Sequence, residues 1–492
     1  MFEFLKQDYD QPDAIKMLIN IGACLDVPTG FYVKGVHGQN ILLGGLGAIT
    51  AVVGRGNRFK STVLHYMMLS AMNRLFSTSE TSASTYDTEI NIHETALERF
   101  IVAFENLRNR SILAAGIWNI TDSTCYLGNK WFEATKKYLK SKKEHLAQLT
   151  VPTPFFDRDG KTQLKVLVPT FGQIDSFSEF ETEDVAKISE ENELGESGAN
   201  MIHMRQGLSK THFLMEAPVL FNGNNHFLLI TAHMDDAVEV ATGPYAPKPV
   251  KKLQHLKQGD KIKGVTGKFF FLMNNCWAAI SATPLINQGT KGPEYPRDTN
   301  DNMAGDKDLN EVVLTQLRSK AGPTGYDLTL VVSQSEGVLP SLTEFHYIKS
   351  FKDKNFDRYG ISGNIQNYNL DLLPDVKLSR TTIRGKIDSD VQLRRVLTIT
   401  AEMCQIYQFH RKHWDILCTP KELYEDLINQ GYDWNVLLNT RSWWTVDDDK
   451  HPLPFLSTLD LMLMHSKNKD HPDAYFPYWM NPDKSIKKEF CN

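Results

Sequence analysis

The stretch "AVVGRGNRFKSTV", Ala51–Val63, decides how the rest of the sequence is read. It runs as an apolar strand, turns through Gly54 and Gly56, and closes on Lys60-Ser61-Thr62. An amphipathic pattern, "STVLHYMMLSAMNRLF", continues from it. A phosphate-binding loop has this form for three reasons. Its backbone N–H groups wrap a phosphate, which favours small or positive-φ residues. A lysine reaches the outer phosphates. A hydroxyl at a helix start binds Mg2+ where the helix dipole favours an anion. Lys60 has the required offset from Gly54, so Gly54, Arg55, Gly56, Asn57, Arg58, Phe59, Lys60, Ser61 and Thr62 are the expected ATP cradle, with Ser61 also on the metal. One position departs: Phe59 stands where a second glycine is expected. It is tolerable if its ring points away from the phosphate. The competing reading is a strand–turn–helix corner with an incidental lysine.

Short apolar runs alternate with helical patterns from about residue 46, which predicts an α/β fold with a mixed, mainly parallel sheet. The runs are "AITAVVG", "SASTYDTE", "TFGQIDSFSEF", "HFLLITAH", "KFFFLMNN" and "YDLTLVVSQS". In such sheets ligands bind at the carboxyl ends of the strands. "TFGQIDSFSEF" ends in Asp175, placed to hold the Mg2+ shell. "STYDTEINI" ends in Asp87 and Glu89, where a carboxylate orients and deprotonates a water. "HFLLITAHMDD" ends in His233, placed to sense a γ-phosphate. Singly, an Asp or His at a strand end is most often structural; four strand ends in this order support one another.

With these residues in view, the chain resembles the RecA family of strand-exchange recombinases, most of all the versions encoded by tailed bacteriophages. Those relatives use a loop of type GxxxxFKS, which accounts for Phe59. Their acidic strand reads like "YDTE", which implies that Glu89 is the catalytic glutamate. Their second acidic motif reads "IDS" followed by "ETED", here Ile174-Asp175-Ser176 and Glu181-Thr182-Glu183-Asp184. Their sensor strand ends in Gln or His, here His233. The resemblance spans roughly 20–350, includes "GYDLTLVV", and does not extend over 356–492. It implies a RecA-type P-loop ATPase core that binds ATP and Mg2+, with Lys60, Glu89 and His233 in catalytic roles. It also implies a homo-oligomeric filament on single-stranded DNA that pairs with a homologous duplex.

In the family two loops contact DNA. The first is expected at about 193–199, the second from Met234 to about Lys268. The second contains Lys248, Lys251, Lys252, Lys257, Lys261, Lys263 and Lys268 within 247–268, which holds one acid, Asp260. These lysines neutralise phosphates in a salt-dependent way if they meet DNA, and form a solvated loop if they do not. The acidic stretch 179–196 reads as a solvated face or one that meets a basic neighbour. The family's trans-acting lysine pair is replaced by Ser333 and Ser335, so Lys349 or another basic residue is the expected substitute. Two other readings stay open: a hexameric helicase of the same superfamily, a ring rather than a filament, and a non-catalytic ATP-binding protein. Against the helicase, "VVSQSEG" offers no arginine finger near 333–336.

The 492 residues are 41% hydrophobic and 23% charged with net charge −5, an ordinary globular balance in which any nucleic-acid surface is a local patch. Six dispersed cysteines without a CxxC pair read as reduced thiols in a cytoplasm-like compartment, that of the host if the protein is phage-encoded. The opening "MFEFLKQDYDQPD" lacks a signal-peptide pattern, and no apolar run has the length of a membrane span. The expected organisation is a 1–45 segment that contacts a neighbouring subunit, a 46–355 core, and a mainly helical 356–492 domain. The sequence leaves open what that last domain binds, with duplex DNA, an ssDNA-binding protein and a mediator as the alternatives. In it "TPKELYEDLINQG" is punctuated as a helix by Thr419, Pro420, Glu422 and Gly431. Leu393, Leu397, Cys404 and Tyr407 form an apolar stripe. The aromatic tail ("RSWWT", "AYFPYWM") is expected against the same domain, and 288–310 is expected as an exposed loop.

Overall fold

A computed structural model describes residues 16–191, 199–236, 254–256, 260–298, 301, 303–351, 359–364, 367–412, 417–467 and 473–490. Ten strands build its central sheet. They are β1 (Ile49–Gly54), β2 (Ala83–Asp87), β3 (Trp118–Asp122), β4 (Thr170–Asp175), β5 (His226–Asp236), β6 (Asp260–Ile262), β7 (Asn275–Pro284), β8 (Leu309–Ser319), β9 (Asp327–Ser333) and β10 (Gly337–Val338). Their order is β10-β9-β8-β7-β1-β5-β4-β2-β3, with β6 paired to β5. The run β3-β2-β4-β5-β1-β7 is parallel. β8, β9, β10 and the short β6 pair antiparallel. The protein is therefore α/β with a large mixed, mostly parallel sheet.

The parallel strands are apolar on both faces, as a sheet covered on both sides requires. In β1 the alternation is explicit. Ala51 and Val53 join one apolar cluster and Val52 joins the other. The helices that cover these faces are α1 (Lys60–Leu75), α2 (Gly128–Glu144), α3 (Ala199–Asn222), α4 (Pro340–Ser350) and α5 (Val391–His410). Trp131 and Phe132 of α2 pack with Phe213 and Phe221 of α3 beneath Ala51 and Val53. Leu64, Met67 and Met68 of α1 lie in the Val52 cluster, together with Leu393, Leu397 and Cys404 of α5. Residues of 361–480 thus share one core with residues of 17–348.

The C-terminal part carries a three-stranded antiparallel sheet (Ile361–Asn364, Asn367–Leu370, Leu373–Leu378) before its helices. The helix Pro420–Asn429 has the expected capping box between Thr419 and Glu422, and Gly431 takes φ +85°. "KFFFLMNN" differs from its strand pattern. Lys268–Leu272 is one short helix with Phe269 buried and Phe271 exposed, and β7 starts at Asn275. The 288–310 stretch is only partly exposed, because Tyr295 is buried against Phe345 and His346. The 1–45 segment, within the described residues, folds a hairpin (Phe31–Lys34 with Asn40–Leu43) into the core. Among the described residues no helix is long and apolar enough to cross a membrane.

The aromatic tail packs beyond its own domain. Trp444 stacks edge-on to Phe155 at 4.9 Å and donates its Nε1–H to Leu18 O at 3.1 Å. Thr445 Oγ1 donates to Arg74 O, at the end of α1. This tail is organised by a buried ion pair, Arg441 Nη2 to Asp448 Oδ2 at 2.8 Å, with 3% and 4% of each side chain exposed. Removing one partner strands a desolvated charge. Asp448→Ala is expected to lower stability by about 3–5 kcal/mol in urea unfolding, and the paired Arg441→Met/Asp448→Ala change to cost less.

Candidate functional site

The register of the parallel strands sets their carboxyl ends level. Gly54 lies opposite His233, and Asp87 opposite Asp175. Gly54 is the end of β1, and a Cβ there would meet Ala279 O of β7 at 2.9 Å, so close strand approach requires the glycine. The left-handed positions of the loop are not its glycines. Neither Gly54 nor Gly56 has positive φ; Asn57 and Phe59 do, both at φ 57°. Asn tolerates this region. A phenylalanine pays about 1–2 kcal/mol for it. Phe59 packs its half-buried ring against the Val52 cluster, which offsets strain of that size.

Lys60 opens α1 and is buried, 7% exposed. Its Nζ donates to Arg55 O across the loop at 2.9 Å. Burial pushes its ammonium down, and the Asp175 and Glu89 carboxylates hold it up. Ser61 and Thr62 follow on the first helical turn, half-buried. Arg55 turns to the other side and bonds both strands of the β5–β6 hairpin, Asp236 Oδ1 at 2.5 Å and Asp260 Oδ1 at 2.9 Å.

The acidic strand end separates into two roles. Asp87 is buried and accepts from four backbone N–H groups, those of Glu89, Ile90, Asn91 and Ile92. It is a turn former. Glu89, the residue it positions, presents its carboxylate to His233, Oε1 to Nε2 at 2.5 Å. The His233 hydrogen bond holds the Glu89 carboxyl at about 2, below its ordinary 4.5, with Lys60 acting in the same sense and desolvation opposing. Thr88 fastens this turn to β4: its Oγ1 donates to Ser176 O at 2.8 Å and accepts from Ser176 N at 2.7 Å.

Asp175 is 4% exposed. Thr231 Oγ1 of β5 donates to its Oδ1, while Oδ2 has no hydrogen-bond partner among the described residues. The Asp175–Ser176 peptide bond is cis. After Asp175 the chain turns through Phe177–Glu179. Ser178 Oγ accepts from His233 N at 2.8 Å and donates to Lys263 O at 2.9 Å. No group of three or more His, Cys, Asp or Glu side chains is assembled for a metal among the described residues.

The second loop starts later than expected. Met234–Asp236 continue β5 and pair with Asp260–Ile262. Lys248, Lys251, Lys252 and Lys257 lie outside the described residues, as does 193–198. Lys261, Lys263 and Lys268 are exposed, with Lys263 Nζ 3.3 Å from Glu179. Ser333 and Ser335 both bond the Asp308 carboxylate. Lys349 is taken up by Glu294 at 3.3 Å and Tyr295 OH at 2.7 Å. Two arginines distant in sequence, Arg297 and Arg384, reach this turn through Glu336, and Arg297 keeps 48% of its side chain exposed. Comparison with protein-family models and with characterised proteins finds no match.

Because Glu89 has its pKa depressed in the fold, its contribution to stability is full above about 4.5 and is lost as pH falls from there through about 2. The urea midpoint of Glu89→Gln is therefore expected to lie below that of the wild type at pH 7, with the difference closing across that window.

Proposed function

We propose that this protein is an ATP-dependent recombinase with a RecA-type P-loop core, which assembles as a filament on single-stranded DNA and pairs it with a homologous duplex. The observation that carries this reading is the meeting at one sheet edge of the Gly54–Lys60 loop, the Glu89–His233 pair and the buried, half-satisfied Asp175 carboxylate. A buried carboxylate oxygen without a donor is costly unless a cation completes it. The Ser61 hydroxyl and Asp175 fit a magnesium ion, which takes few protein oxygens and draws the rest from water and phosphate. Bound there with ATP, it would neutralise phosphate charge.

The chain's own groups supply the rest. Lys60 exchanges the Arg55 carbonyl for phosphate oxygens. The loop amides and the first turn of α1 bind anionic oxygens. Glu89 orients the attacking water. While His233 is bound, the Glu89 carboxylate is a poor proton acceptor, so departure of His233 toward a γ-phosphate raises its basicity at the moment it is needed. His233 thereby senses nucleotide, and its strand leads directly into the hairpin that carries Lys261 and Lys263. These exposed cations, with Lys268, support phosphate contact.

ATP turnover with and without ssDNA tests this. Wild type is expected to hydrolyse ATP and to be stimulated by ssDNA. Lys60→Ala should lose nucleotide affinity, and Glu89→Gln should keep affinity and lose about 10²–10⁴ in turnover. A wild type inactive under both conditions sinks the enzymatic reading. Electron microscopy with ssDNA and a non-hydrolysable analogue separates filament from ring.

The serine pair is locked to Asp308, and Lys349 to Glu294 and Tyr295; of the two arginines paired to Glu336 at that turn, Arg297 is the more exposed, at 48% against 7% for Arg384. If it completes a neighbour's site, Arg297→Ala loses roughly 10³ in ssDNA-stimulated turnover with nucleotide affinity unchanged. Unchanged turnover removes it from that role.

A further inference from the structure

Lys210 carries an ammonium into the interior of the protein. It lies on α3 and is 1% exposed. Its Nζ donates to two backbone carbonyls, Ser178 O at 2.7 Å and Gly264 O at 2.9 Å, and sits 5.5 Å from the centre of the Phe177 ring. Burial pushes the ammonium down to about 8, and the charges of Glu179 and Glu181 hold it up. A charge placed so deep costs more than the methylene chain that carries it returns by packing. Filling space therefore does not account for a lysine here.

The two carbonyls belong to different segments. Ser178 lies in the turn that follows Asp175, and Gly264 follows β6. The same segments are joined by Ser178 Oγ, which links His233 N to Lys263 O, and Lys263 N ties the second of them to the end of β5 by donating to His233 O at 2.8 Å. Gly264 has φ +65°, and a Cβ there would fall 2.6 Å from Ser178 O. Only glycine allows the approach that Lys210 closes.

We propose that Lys210 is a positioning residue that locks residues 260–268 to the turn after Asp175, so that a shift at the nucleotide site is transmitted to the cations Lys261, Lys263 and Lys268. This rests on the ATP and ssDNA reading above. The lock acts through backbone carbonyls at both ends. It therefore moves the lysine-bearing segment as a unit without engaging the side chains of Lys261, Lys263 and Lys268, of which Lys263 is paired to the exposed Glu179.

The test is the affinity for a fluorescent oligo-dT, measured with and without Mg2+ and a non-hydrolysable ATP analogue, in wild type, Lys210→Met, Lys210→Arg and Gly264→Ala. In wild type the nucleotide is expected to tighten oligonucleotide binding by roughly tenfold or more, and in Lys210→Met and Gly264→Ala this ratio should fall to about one. Nucleotide affinity should stay within about twofold of wild type, and Lys210→Arg should restore most of the ratio. A wild-type ratio in folded Lys210→Met overturns the proposal, as does a wild type that binds nucleotide without any change in oligonucleotide affinity. A wild type that binds no nucleotide refutes the ATP reading instead. The lock itself is then decided by amide exchange at 260–265, which should rise in Lys210→Met; unchanged exchange overturns it.

Discussion

A carboxylate oxygen buried without a donor is the constraint on which this sheet edge depends. Asp175 Oδ2 has lost water and gained nothing among the described residues, while Oδ1 is held by Thr231 from the neighbouring strand. The surrounding bonds keep it in place. Thr88 clamps the following residue on one side, and Ser178 ties the chain to His233 on the other. Asp175 therefore does not relax toward solvent, and the nearby Lys60 ammonium is bound to a carbonyl rather than to it. These carboxyl ends of the strands therefore carry a buried acceptor that their own side chains leave unmet.

Much of this was legible in the sequence because strand ends are set by short patterns. The glycine-lysine loop, "YDTE", "IDS" and "LLITAH" each place a polar residue after an apolar run, and parallel register then makes the ends coincide. The division of labour between Asp87 and Glu89 was not legible. Two carboxylates two residues apart look alike in a sequence. Only the turn shows that one accepts four amides and the other faces His233. Which residues of the loop are left-handed was not legible either. Asn57 and Phe59 take positive φ and the two glycines do not, Phe59 supported by core packing that lies outside the motif.

Other parts depend on contacts between distant segments and leave no local signal. Arg55 reads as a loop residue, yet it bridges Asp236 and Asp260 across more than 180 positions. Arg297 and Arg384 converge on Glu336 beside the serines where cations were sought. "KFFFLMNN" has strand composition, yet Lys268–Leu272 forms a helix in which Phe269 is buried and Phe271 exposed. In each case tertiary packing overrides a composition that is ambiguous over a few residues.

The bonds around Ser178 have a mechanical consequence. Hydrogen bonds to backbone carbonyls fix the path of a segment, whereas bonds to side chains fix only their tips. His233 reaches the lysine-bearing segment through main-chain groups on both sides, its N–H by way of Ser178 Oγ and its carbonyl through Lys263 N. A movement of the His233 ring alone would leave those bonds intact. A movement of the strand end, of the kind that releases Glu89, displaces the hairpin with it. The Arg55 bridge adds a third tether, from the Gly54–Lys60 loop to the same hairpin. The loop, the His233 strand end and the lysine-bearing segment are thus joined by a few consecutive bonds, the contiguous contact that any coupling between them would need.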